Sequence, residues 1–131
     1  MAQIQLVIVT PEKTALDQMV DSVTVPLSDG EAGVLPGHAP MIGRLGPGEL
    51  RFRSDSNEDR LYVDGGNVQV QDDVVCVLTG QTIPVAEIDV EAARNALAAA
   101  EKEPAGTPAL AEIKRKSIAQ ARAQIYMAEK S

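Results

Sequence analysis

A chain of 131 residues has room for one ordinary domain, or for a small domain with an appendage, and excludes a large multidomain enzyme. It contains no tryptophan, one phenylalanine and two tyrosines, so its core must be built from Val, Ile, Leu and Ala; its net charge of −7 excludes a general nucleic-acid binder, which needs a basic face to displace counterions from phosphates. The single cysteine, Cys76, can form no internal disulfide, and no apolar segment approaches the roughly 20 residues of a membrane helix.

Residues 1–10 have neither a basic start nor a small-residue cleavage site, which predicts no signal peptide and a soluble, reduced protein on the cytoplasmic side. Over residues 3–9 the alternation places Ile4, Leu6 and Ile8 on one side of an extended strand. Further strand-like runs follow at 22–27, 34–35, 49–53, 61–63, 68–71, 74–78 and 82–85, most of them rich in β-branched residues that suit a half-buried pleated surface. Between them lie Ser28-Asp29-Gly30, Pro36-Gly37, Gly46-Pro47-Gly48, Asp64-Gly65-Gly66-Asn67 and Gln71-Asp72-Asp73, which tolerate positive φ or preset a turn. Short strands at such spacing predict an antiparallel sandwich or barrel.

The chain changes character near Ala86. Up to that residue there are five basic and twelve acidic side chains, and beyond it seven of each. Glycine nearly disappears and alanine takes over, so the preference switches from strand to helix, predicting a β domain over 1–86 and a helical one over 87–131. Asp89 is the predicted N-cap of a first helix running to about Glu103, with Val90, Ala93, Leu97 and Ala100 as its buried stripe. The segment Pro104-Ala105-Gly106-Thr107-Pro108 breaks it, and Thr107 with Pro108 forms an N-cap and N1 pair for a second helix with the stripe Leu110, Ile113, Ser117, Ile118, Ala121 and Ile125. Residues 87–103 carry two basic and five acidic groups and residues 109–131 the reverse, so a short-loop antiparallel hairpin pairs complementary charges.

Chemistry-bearing constellations are absent. A nucleophilic dyad would have to use Cys76 and His38, but Cys76 sits in an apolar run as a buried small hydrophobe, and His38 belongs to a Pro-Gly-His-Ala-Pro turn that reads as exposed surface. No metal-ligand spacing, phosphate loop or nucleophile elbow occurs, so the sequence predicts no catalytic residue, metal or cofactor. The basic run Lys114-Arg115-Lys116 is either a solvated helix face or a contact for an acidic partner or phosphates.

The segment Asp29-Gly30-Glu31-Ala32-Gly33-Val34-Leu35-Pro36-Gly37-His38-Ala39-Pro40-Met41 resembles the signature of the epsilon subunits of F-type ATP synthases. Val9-Thr10-Pro11-Glu12-Lys13, Gly46-Pro47-Gly48-Glu49-Leu50-Arg51, Tyr62-Val63-Asp64-Gly65-Gly66-Asn67-Val68-Gln69-Val70, Val75-Cys76-Val77-Leu78 and Ile88-Asp89 agree with it, so the likeness spans the whole chain. It implies a ten-stranded β-sandwich followed by an antiparallel two-helix hairpin, in a non-catalytic rotor subunit of the central stalk, peripheral on the cytoplasmic face of a bacterial inner membrane. It also implies partners: the gamma subunit and c-ring for the sandwich, with Glu31 and His38 in the loop that meets the ring, and the alpha and beta subunits for the hairpin. Lys114, Arg115, Lys116 and Arg122 are then the residues that would meet an acidic segment of beta and oppose ATP hydrolysis. Some members bind ATP through Ile/Leu-Asp-x-x-Arg-Ala with a further arginine two turns on. Ile88 and Asp89 match that motif, but Ala92 and Ala99 stand at the arginine positions, and Arg94 lies about 200° around the helix. Losing two charge-assisted phosphate contacts of roughly 1.5 to 3 kcal/mol each predicts no useful ATP sensing and disfavours the alternative of a stand-alone ATP-binding regulatory module.

Overall fold

In the computed structural model, which describes residues 2–130, the alternation of the first strand sets the core. Strand β1 (Ile4–Val9) buries Ile4, Leu6 and Ile8 completely. It is followed by β2 (Thr14–Val20), β3 (Ser22–Leu27), β4 (Gly30–Val34), β5 (Met41–Ser54), β6 (Asn57–Gln71), β7 (Val74–Leu78) and β8 (Thr82–Pro84). The strands hydrogen-bond in the order β2-β1-β7-β6-β5-β3-β4, with β8 on β6. The β1–β7 pair is parallel and the other pairs are antiparallel. Ile4 and Leu6 from one end of this order share a single cluster with Val23, Val25 and Val34 from the other, so the sheet is folded over on itself as a β-sandwich.

Two long strands make that fold possible. β5 and β6 pair without a break in register from Met41↔Val70 to Ser54↔Asn57. Yet the positions that join the hydrophobic core are Leu45 and then Leu50 and Phe52 on β5, and Val63 and then Val68 and Val70 on β6, a change of parity on both strands. A side-chain period of two cannot change sign without backbone distortion. Gly65 and Gly66, at φ +95° and +119°, supply it beside Gly46-Pro47-Gly48. The sheet therefore has eight strands where ten were expected; breaking β5 and β6 at this distortion would recover the higher number. β2 was not foreseen because Thr14-Ala15-Leu16-Asp17-Gln18-Met19-Val20 carries no apolar alternation, and as an edge strand only its Val20 is fully buried.

The chain divides into two compact units, one ending at Pro84 and the other beginning at Val85. The second opens with a 3-10 turn (Val85–Glu87) and holds α1 (Val90–Glu101) and α2 (Pro108–Lys130). Asp89 caps α1, its side chain accepting from the Ala92 amide at 3.0 Å, and Thr107 caps α2, accepting from the Leu110 amide at 3.1 Å. The Arg94–Glu129 ion pair, 2.6 Å, places the start of α1 beside the end of α2, so the helices are antiparallel. Ala93 and Ala100 of α1 and Ala121 and Met127 of α2 are buried. Leu110 and Ile113, expected in the buried stripe, are exposed, because α2 has 23 residues against 12 in α1 and outruns it at the loop end.

Candidate functional sites: the strand-end turn and the basic helix

Pro36 and Gly37 form the centre of a turn in the connection from β4 to β5. The His38 amide donates to the Leu35 carbonyl at 3.1 Å, and Gly37 has φ +85°, which is the type II arrangement that proline and glycine in this order favour. The Gly37 amide in turn donates to Oδ1 of Asp73, 2.7 Å away in the β6–β7 turn. His38 is half-buried rather than fully exposed, and its Nδ1 lies 2.6 Å from the Ala39 carbonyl oxygen. A carbonyl can only accept, so Nδ1 is the donor in this contact. On either side of the turn Leu35 and Ile42 are 62% and 81% exposed, an apolar pair that the sequence reading did not single out.

Glu31 was expected in the same loop but lies within β4, opposite Pro26 of β3. Its carboxylate is held by Arg51, at 2.9 Å and 3.4 Å from the two Nη atoms. Arg51 also bonds Glu49 at 3.0 Å, and Glu49 accepts from Nε and Nη2 of Arg60 at 3.0 Å and 2.7 Å. Strand pairing brings this cluster together: Glu49 faces Tyr62 and Arg51 faces Arg60 across the β5–β6 ladder, on the side opposite Leu50 and Phe52. Glu49 is buried, and a buried carboxylate is stable only when paired. The hydrogen bond to Glu31, followed by that to Glu49, raises the pKa of Arg51 above its ordinary value. Tyr62 is also buried on this side, its hydroxyl donating to Asp64.

Cys76 is half-buried instead of fully buried. Its neighbours Val75 and Val77 take the core side of β7, so alternation turns the thiol to the opposite face. Among the described residues no three His, Cys, Asp or Glu side chains are grouped to hold a metal ion, and no helix is long and apolar enough to cross a membrane.

On the hairpin, Arg115, Lys116 and Arg122 are exposed and Lys114 is half-buried. Arg115 pairs with Glu112 one turn earlier on its own helix; no ion pair engages Lys114, Lys116 or Arg122 among the described residues. The expected charge match between helices is thus realised with its sign reversed, by Arg94 of α1 and Glu129 of α2. Lys114, Arg115 and Arg122 instead border a groove of about 400 Å³ floored by Ala111, Ile118 and Ala119. In the region of the nucleotide motif, Ala92 and Ala99 are exposed, the Asp89 carboxylate is engaged in capping, and the Arg94 guanidinium is engaged with Glu129.

A family model described as the ATP synthase Delta/Epsilon chain beta-sandwich domain matches residues 3–85. The chain belongs to the ATP synthase epsilon-chain family. An ATP synthase epsilon chain of Rhodopirellula baltica is 51% identical over 122 residues, covering 93% of this chain and 95% of the relative. That of Syntrophobacter fumaroxidans is 40% identical over 131 residues, covering 98% of each. Among solved structures, a chain of the Euglena gracilis mitochondrial ATP synthase, determined as an OSCP/F1/c-ring assembly, superposes with a TM-score of 0.83 at 27% identity, covering all of this chain and 83% of that one. A chain of the Tetrahymena thermophila mitochondrial ATP synthase central stalk and c-ring shares the fold, with a TM-score of 0.78 at 14% identity and 97% of each chain covered. The epsilon-chain likeness extends through the hairpin in these relatives, beyond the part that the family model spans.

Proposed function

We propose that this epsilon chain is a non-catalytic rotor subunit of the central stalk, peripheral on the cytoplasmic face of a bacterial inner membrane, that couples ion flow through the c-ring to ATP synthesis. The sandwich binds the gamma subunit and seats on the ring. The observation that carries the reading is the Pro36-Gly37-His38 turn: it is closed by its own hydrogen bond, tied to Asp73, and flanked by exposed Leu35 and Ile42. A joint that transmits torque needs a preorganised surface of this kind, because a contact that must first order itself weakens under load. In this reading His38 and the apolar pair meet the ring, while Glu31 contributes through the side of β4, with its charge already balanced by Arg51.

The hairpin is the regulatory part. Lys114, Lys116 and Arg122, with Arg115, offer basic groups to an acidic segment of the beta subunit within the alpha and beta ring and so oppose ATP hydrolysis. The test of the coupling role is the Gly37→Asp, His38→Ala double variant in the assembled enzyme, with hydrolysis and ion pumping measured on the same membranes. Aspartate at φ +85° strains the turn, so pumping is expected to fall while hydrolysis persists. Unchanged assembly, pumping and hydrolysis would remove the turn from the ring contact.

A further inference from the structure

The β6–β7 connection is a two-residue turn built in an unfavourable way. Its central residues, Asp72 and Asp73, have φ of 52° and 60°. Two successive positive values define the type I′ hairpin turn, for which Asn-Gly is the preferred pair because glycine takes this conformation without strain. Aspartate tolerates the left-handed region better than most residues, yet glycine at position 73 would hold the same backbone more comfortably. A strained residue persists when its side chain contributes something that the relaxed alternative cannot.

What the Asp73 side chain contributes is a bond to a turn 36 residues away. Its Oδ1 accepts from the Gly37 amide at 2.7 Å, a short, charge-assisted contact. In a type II turn the amide between the two central residues takes no part in the closing hydrogen bond, here from His38 to Leu35, so this donor is available to fix the orientation of the turn from outside. The anchor is itself held, since the Asp73 carbonyl accepts from the Gln5 amide of β1 at 2.9 Å. We infer that Asp73 is a positioning residue for the Pro36-Gly37-His38 turn, keeping it in the orientation in which it meets the ring; the inference rests on the reading of that turn as the ring contact.

Two substitutions separate positioning from mere stability. Asp73→Gly removes the carboxylate and relieves the strained backbone, whereas Asp73→Asn keeps an oxygen acceptor and tolerates the same φ. In the isolated full chain Asp73→Gly is expected to melt at the parent temperature or above, while the Gly37 amide exchanges with solvent about tenfold faster or more. Asp73→Asn is expected to resemble the parent in both. In the assembled enzyme Asp73→Gly is expected to lose several-fold in ion pumping per ATP hydrolysed, with Asp73→Asn recovering most of it. Unchanged Gly37 exchange in Asp73→Gly overturns the tether. Faster exchange with normal pumping overturns the positioning role, provided that the Gly37→Asp, His38→Ala variant uncouples. If that double variant also pumps normally, the ring reading has failed and the inference falls with it.

Discussion

Single backbone positions carry much of the sandwich. A β-carbon on Gly66 would overlap the Leu78 carbonyl oxygen and lie within about 3.1 Å of the Thr79 α-carbon, and φ is +119° there. Both objections are to backbone, which cannot rotate away as a side chain can. Gly66→Ala is therefore expected to destabilise the sandwich by roughly 2 to 5 kcal/mol, the sum of an overpacked contact and a left-handed alanine. Gly33→Ala is the control: its β-carbon meets nothing within 4 Å and its φ is ordinary, so a change within about 0.5 kcal/mol is expected. Denaturant melts of the two variants decide it, and similar losses in both would mean that the parity change does not depend on Gly66.

At the scale of elements, α1 follows Ile88-Asp89, which match the nucleotide motif implied by the sequence resemblance, but carries Ala92 and Ala99 where that motif has arginines. Ala92 and Ala99 are seven residues apart, about two turns, and so project from nearly the same side; both are exposed and hold no core contact that arginine would disturb. Calorimetric titration of the parent with Mg-ATP is expected to show no binding below about millimolar concentration, and the Ala92→Arg, Ala99→Arg variant is expected to gain on the order of a hundredfold. Tight binding by the parent would restore the ATP-binding module as a competing function. The elements themselves were largely legible. The period of two gave β1, β-branched runs gave β3 and β7, the caps Asp89 and Thr107 placed both helices, and the Pro-Gly pair marked the turn. What escaped the sequence was set by distance. Nothing local shows that α2 would outrun α1 and leave Leu110 and Ile113 uncovered, that Glu31 would find Arg51, or that Asp73 would reach Gly37; each depends on which strands or helices become neighbours. The doubled aspartate at 72 and 73, where a hairpin prefers glycine, was the one local sign.

At the scale of the whole molecule, charge is distributed by role. The acidic excess lies before residue 87, and the later residues are neutral in sum, with Lys114, Arg115 and Lys116 on the end of α2 that α1 does not cover. With Arg94 level with Glu129 and both helices rising equally per residue, the last residue of α1 reaches about the level of Arg122, so Lys114 and Lys116 lie on the overhang. A hairpin kept for its own stability would have little use for that arrangement, since mutually repelling exposed cations gain nothing from each other. If the overhang acts on an acidic segment of beta, removing the hairpin and reversing its charge should do the same thing. Ending the chain after Ala86 is expected to preserve coupled pumping and raise ATP hydrolysis severalfold, and Lys114→Glu, Lys116→Glu, Arg122→Glu in the full chain is expected to reproduce most of that rise. Single exposed pairs contribute well under about 1 kcal/mol, so the single reversals should each do little, and added salt should weaken the inhibition of the parent more than that of the reversed variant. A rise on truncation that the reversed variant does not share would make the hairpin a steric block, and no rise in either would leave it a structural appendage.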